Sequence, residues 1–335
     1  MDADIVLPIG GCNDRKKTLE ALFNSYFNFK KEFSEFNSIQ TINEVEKIAL
    51  LKNNKIIYKC SDRLKSIQSF LNKFIFNEMP IRKDIVFSYR KDVNIADAVR
   101  PHSHSNFIYK TDISNFFPSI KPQIIKNRLL KHRDKIEFIE REEIEKYCDR
   151  IIDICTIDDH LPIGFPSSPS ISNFCFYEYD SIISDFCIKN SLIYTRYADD
   201  LIISSTDELD KDNLSQTLEQ ILHSDDQLRL KINYKKTKLI TKKYERHLLG
   251  ISILENGKLT ISKKMKRDIE IRLHLLKTNR DKLVDYTNSN EMDSILSIAG
   301  TLSQINNIDK DFLYQLRKKY GNAIISKLLK GKDLL

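Results

Sequence analysis

The sequence predicts an α+β protein with an antiparallel central sheet and an all-α C-terminal region. Three observations lead there: paired apolar runs joined by short polar turns, amphipathic stretches with helical spacing around them, and a helical pattern throughout after about residue 256.

The elements follow in order. KKTLEALFNSYFNFKKEFSEF spaces Leu19, Leu22, Phe23, Tyr26 and Phe29 as one helical face. VEKIALLKNNKIIYKC reads as a hairpin turning at Asn53-Asn54, and DRLKSIQSFLNKFIF returns to helix. NFIYKTD is a strand that FFPSIKP ends, and residues 121–153 are helical and highly charged, with Pro122 suited to a first helical position. LPIGFPSSPSISNFCFYEYDSIISDF opens as a Gly/Pro loop with Ser168-Pro169 as N-cap and first helical residue. A helix follows with Ile171, Phe174, Tyr179, Ile182 and Ile183 inward. A strand pair surrounds Asp199-Asp200, then a helix runs through LSQTLEQILHS, strands occupy LKINYKKTKLI and HLLGISI, and helices complete the chain.

At 335 residues and 41% hydrophobic content, a sizeable core is available. The formal net charge of +7 suggests a polyanionic partner, and after position 240 there are 19 Lys and Arg against 11 Asp and Glu, so the last quarter holds the whole excess. A solvated basic face is the plainer explanation of the same charges. Six cysteines show neither a CxxC pair nor a Cys/His grouping, which points to a reducing cytosol rather than zinc or disulfides. MDADIVLPIGG has acids where a secretory signal has bases, and no apolar stretch approaches 18 residues, so a cytoplasmic protein without membrane contact is expected.

The chemistry centres on YTRYADDLIIS, residues 194–204, where two adjacent carboxylates interrupt an otherwise buried strand pattern. Burying them unpaired is costly. In a regular strand Asp199 and Asp200 point to opposite faces, whereas at a tight hairpin turn both reach the tip; Asp is also an ordinary turn residue. YKTDISNFFPSI places Asp112 at the end of another strand. If the two strands are neighbours, three carboxylates converge, a cluster that calls for cations. Hard oxygen ligands suit Mg2+ with substrate phosphates as its remaining ligands, and two such ions about 4 Å apart serve in-line phosphoryl displacement.

YADD between apolar strands, DISNFFPSI about 85 residues upstream and LPIGFPSSPSISN between them resemble, in order and spacing, a bacterial reverse transcriptase of the retron and group II intron type, over roughly residues 40–320. The resemblance implies a right-hand polymerase. Residues 1–106 are then the fingers with an N-terminal helical extension, 107–120 and 161–255 the two parts of an antiparallel palm, 121–160 a helical insertion, and 256–335 a basic α-helical thumb that tracks template–primer phosphates. It implies Asp112, the backbone carbonyl of Ile113, Asp199 and Asp200 as ligands of two Mg2+ ions, with Mn2+ able to substitute. Phe117 falls at the steric gate against the 2′-hydroxyl, and Ile163 and Gly164 lie in the loop that touches the incoming nucleotide. Lys52 and Lys55 align with triphosphate-holding residues, though KNNK is equally an exposed turn. Lys236, with Lys238 as competitor, aligns with the lysine that helps the pyrophosphate leave. Leu249 and Gly250 align with the primer grip, though a Leu-Gly strand also suits a core.

The chain departs from the pattern at four points. Ile163 replaces the glutamine of LPQG, Asn115 replaces a frequent acid, AVRPH keeps only His102 of NAxxH, and LLG at 248–250 stands for VTG. His102 and the nearby His104 read as structural histidines. These departures suggest a diverged, stand-alone, defence-associated enzyme that works with a co-encoded non-coding RNA as template, deoxynucleoside triphosphates and a DNA product, and with an effector protein or further copies of itself as possible partners. Two other functions are open: template-independent or repetitive DNA synthesis, and an idle RNA-binding scaffold.

Overall fold

The computed structural model describes residues 16–50, 55–243 and 245–330, without the side chains of Leu50 and Lys55. Two compact units emerge, each assembled from separate stretches of chain. The first takes in the described residues up to Arg82, Asn115–Ser181 and Ile221–Lys231; the second takes in Lys83–Ser114, Ile182–Gln220 and the described residues from Ile232 onward.

In the first unit the helix Leu19–Tyr26 is capped by the Thr18 side chain and buries Leu19, Leu22 and Phe23. Phe23 packs edge-on against Phe33 and Phe70. The helix is shorter than its apolar spacing predicts. Asn28 and Phe29 adopt left-handed backbone angles, which turns Phe29 outward to 80% exposure. Strands β1 (Val45–Leu50) and β2 (Lys55–Cys60) form the expected hairpin, in register from Val45↔Cys60 to Leu50↔Lys55. Helices Asp62–Phe74 and Arg141–Cys155 are linked by the buried Gln68, which donates to the Ile154 carbonyl. The Ser-Pro helix begins one residue earlier than expected: Ser167 is its N-cap, and Ser168 instead donates to the Pro162 carbonyl.

The second unit carries a four-stranded antiparallel sheet of order β4-β5-β3-β6, made of β3 (Phe107–Asp112), β4 (Ile193–Tyr197), β5 (Asp200–Ser205) and β6 (Lys238–Thr241). β3 and β5 are the inner strands, and β5 buries every residue after Asp200. A three-stranded meander follows: β7 (Arg246–Leu248), β8 (Ile251–Ile253) and β9 (Leu259–Ile261). β9 corrects the expectation that everything after about 256 is helical. Its three residues are all buried and pair with β8, and tertiary burial of so short a run overrides the helical context. Helices Lys263–Thr278, Arg280–Thr287, Glu291–Ile308, Lys310–Tyr320 and Asn322–Lys330 complete the unit. One apolar core joins Ile108 and Ile202 of the first sheet, the meander and the inward faces of these helices. The inward face expected for the helix Tyr177–Lys189 holds for Tyr179 and Ile183, but Ile182 is 43% exposed. Among the described residues no helix is long and apolar enough to cross a membrane, and the five described cysteines are buried free thiols.

Candidate active site

The four-stranded sheet brings the three acids together. Tyr197 pairs with Asp200 across a two-residue turn, Ala198-Asp199. Ala198 takes a left-handed φ of 57°, a conformation disfavoured for a residue with a side chain. Two hydrogen bonds hold the turn there: the fully buried Arg196 donates from Nη1 to the Ala198 carbonyl at 3.0 Å, and the Ile113 N–H donates to the Asp199 carbonyl at 3.0 Å. On the other side β5 is in register with β3, so Asp112 lies directly opposite Asp200. Directly opposed residues of antiparallel strands share a face, with Cβ atoms about 5 Å apart.

The electrostatics follow from this crowding. Burial pushes the Asp199 carboxyl above its ordinary value, and the neighbouring Asp112 and Asp200 charges add to that; its own backbone N–H and the charge of Lys236 pull the other way. Burial also raises Asp200, opposed by a hydrogen bond from Lys110, whose Nζ lies 2.8 Å from Oδ1. Asp112 accepts from Lys236 Nζ at 2.8 Å and from the Asn233 side-chain amide at 3.3 Å. That hydrogen bond raises Lys236 above its ordinary value.

Residues 233–237 form a turn, not the continuous strand expected of LKINYKKTKLI. The Asn233 carbonyl accepts from the N–H groups of Lys236 and Thr237, and the Asn233 N–H donates to the Asp112 carbonyl. Thr237 ties the turn to β3 through Thr111 at 2.7 Å. The turn aims Lys236 at Asp112, whereas Lys238 lies on β6 opposite Lys110. Asn233, Lys110 and Arg196 were not singled out by sequence. Alternation along β3 is the one signal for Lys110, because it lies two residues before Asp112 and hence on the same face.

The remaining expected residues are distributed as follows. Leu249 and Gly250 are the two left-handed residues of the tight β7–β8 turn, at φ 52° and 80°, so this segment is a hairpin tip and not a strand interior. Phe117 is half-buried in the short helix Phe116–Ser119 of the first unit, with its ring 5.7 Å from that of Phe116. Ile163 and Gly164 also belong to the first unit. The Ile163 carbonyl accepts from the Tyr58 N–H at 2.8 Å, and Gly164 has φ 107°, where a Cβ would collide with the Tyr58 carbonyl oxygen. Lys52 lies outside the described residues, as does the side chain of Lys55.

By chemical type the donor set, three carboxylates and the backbone at Ile113, suits hard divalent cations, and burial, with the neighbouring acids, holds Asp199 and Asp200 above their ordinary values. Among the described residues no group of three or more His, Cys, Asp or Glu side chains is placed to hold a metal ion as the side chains stand. Two of the three acids are engaged by ammonium groups instead.

An acidic hairpin thus stands against a strand-end aspartate on an antiparallel sheet, as the resemblance to polymerases leads one to expect. Residues 20–253 match the family described as reverse transcriptase (RNA-dependent DNA polymerase), and the chain belongs to that family, with the right-hand polymerase fold class that goes with it. Within the family it is of the bacterial retron type, and it is an RNA-directed DNA polymerase. It is 31% identical to the retron Ec73 reverse transcriptase of Escherichia coli over 81% of this chain and 84% of that one. It is 29% identical to the retron Ec83 reverse transcriptase of the same organism, over 83% and 86%. A Candida albicans telomerase structure aligns with 94% of this chain and 65% of its own, at 11% identity and a TM-score of 0.47.

Proposed function

We propose that this reverse transcriptase extends a primer by two-metal nucleotidyl transfer at the Asp112–Asp199–Asp200 cluster, copying a co-encoded non-coding RNA in antiphage defence. The observation that carries the catalytic part is the β3–β5 register, which sets Asp112 opposite Asp200 while the Asp199 carbonyl is tied to Ile113. Asp112, Asp199, Asp200 and the Ile113 carbonyl would hold two Mg2+ ions, or Mn2+ in their place. The ions would supply positive charge at the attacking and leaving oxygens.

The chain's own residues do the rest. Lys236 is kept protonated beside Asp112 and is exposed enough to turn from it toward the leaving pyrophosphate. Phe117 gates the sugar, Lys52 and Lys55 meet the triphosphate, Ile163 and Gly164 border the nucleotide, and the Leu249-Gly250 turn steadies the primer end. The fingers, palm and thumb boundaries given above belong to the same reading. The retron reverse transcriptases among its relatives support an RNA template and a DNA product, while the defence role and a cytoplasmic location rest on the sequence reading alone.

Replacing Asp199 and Asp200 together by Asn is expected to abolish deoxynucleotide incorporation in a primer-extension assay while RNA binding stays nearly intact. Unchanged incorporation would overturn the assignment. Sequencing the RNA and DNA that copurify with the protein identifies the template. One observation favours a second product: Ile163 offers an apolar side chain where the family has a glutamine. Homopolymer or simple-repeat DNA in the same assay would establish repetitive synthesis in place of faithful copying.

A further inference from the structure

Lys110 has no place in the reading above, yet its ammonium lies 2.8 Å from Asp200 Oδ1. It sits on β3, flanked by β5 and β6, with Ile202 and Lys238 directly opposite. Its side chain is 27% exposed, against 57% for that of Lys236 on its turn. Lys236 is therefore free to leave Asp112, whereas Lys110 is fixed by a central strand. The placement has a local cost, because two lysines directly opposite one another in a sheet repel. A neutral residue at 110 would remove that repulsion. The position makes physical sense if the charge is directed at Asp200, diagonally across the β3–β5 ladder.

We infer that Lys110 is a resident counter-cation of the acidic cluster: it fixes the Asp200 carboxylate and lowers the affinity of the cluster for divalent ions. Resting on the proposed metal role of the three acids, this makes Lys110 a positioning residue. It neutralises one carboxylate permanently, so the cluster holds its shape before ions arrive, and the remaining negative charge binds them loosely until a nucleotide triphosphate adds its own.

The test is Mn2+ binding to the full chain without nucleotide, read by electron paramagnetic resonance. Lys110→Met is expected to bind Mn2+ at least about tenfold more tightly, because the coupling between close charges near a protein surface exceeds that factor. Lys110→Arg, which keeps the charge, is expected to stay within about twofold of wild type. In an Asp200→Asn background Lys110→Met is expected to tighten Mn2+ binding less than it does alone, because only the through-space repulsion between ammonium and ion is then relieved. Thermal melting in a chelator reports folding separately: Lys110→Met is expected to melt lower than wild type there and to recover with Mn2+. If Lys110→Met melts lower but its Mn2+ affinity is unchanged or weaker, Lys110 is a structural ion pair and the inference is wrong. If Asp112→Asn leaves Mn2+ binding of the wild-type chain unaltered, the metal reading itself falls, and this inference with it.

Discussion

The two longest-paired hairpins of the molecule solve opposite problems. β1 and β2 pair only with each other, and outside Tyr58 and Cys60 their described side chains are largely exposed. β4 and β5 are two of four strands, with β5 held on both sides and its residues from Leu201 to Ser205 buried. A two-stranded ribbon is marginal by itself. Alone it cannot keep like charges at fixed separations. The β4–β5 turn keeps two adjacent acids opposite a third because β3, Arg196 and Ile113 grip it from several directions. Geometry that must resist its own electrostatics has to be built on the inner strands of a sheet.

The largest way to break that contrast is to loosen the rigid hairpin from behind. His102 is fully buried, with Nδ1 2.6 Å from Ser204 Oγ and Nε2 2.8 Å from Thr195 Oγ1, so one ring clasps β4 to β5. His102→Leu removes one hydrogen bond from each of two buried hydroxyls, although Ser204 keeps Ser105 and Thr195 keeps the Ala98 carbonyl, and is expected to cost about 1–3 kcal/mol in denaturant unfolding. Burial lowers the imidazole to about 3, well below its usual 6.5. A depressed folded value means stability is fully present above pH 6.5 and is lost as the pH falls toward 3, because the unfolded chain takes up the proton first. His102→Gln is expected to flatten the pH dependence of the unfolding free energy in that window. A wild-type curve already flat between those limits would show that the ring is not held neutral.

A smaller effect of opposite sign is expected at the turn itself. The Asp199 carboxyl is raised by burial and then by Asp112 and Asp200, so its charged form weakens the fold. A raised folded value means that the stabilisation is present at low pH and lost as the pH climbs through the raised value. Asp199→Asn is therefore expected to raise the melting temperature in a chelator at pH 7 by roughly 2–4 °C, with the gain fading in acid. A lower melting temperature at neutral pH would show that the carboxylate contributes to the fold as well as to the site.

How much of this was legible in the sequence depends on range. The adjacent acids, the strand-end Asp112 and both hairpins follow from alternation and turn residues, which act over a few positions. Three kinds of feature did not. Lys110 and Asn233 acquire meaning only when β5 and the 233–237 turn arrive beside β3. The partners of His102 lie about a hundred residues away. The early end of the first helix rests on left-handed backbone at Asn28 and Phe29, and apolar spacing runs straight through it.

The smallest expected effect sharpens the comparison from its exposed side. Lys47 on β1 makes a 2.7 Å ion pair with Asp158, which also accepts from the Tyr58 hydroxyl at 2.8 Å. By distance alone this is as good as the Lys110–Asp200 pair. Its side chains, however, are 48% and 44% exposed, so water competes for both charges and side-chain entropy offsets the attraction. Lys47→Ala is expected to change unfolding free energy by no more than about 0.5 kcal/mol, and less still in high salt. Tyr58 keeps its bond to Asp158 in that variant, and the backbone register of β1 and β2 does not involve the ammonium. Two ion pairs of nearly equal length thus differ in consequence because one lies on an inner strand beside other charges and the other on an open ribbon. A loss above about 1 kcal/mol in Lys47→Ala would mean that the ribbon is held more firmly than its exposure implies.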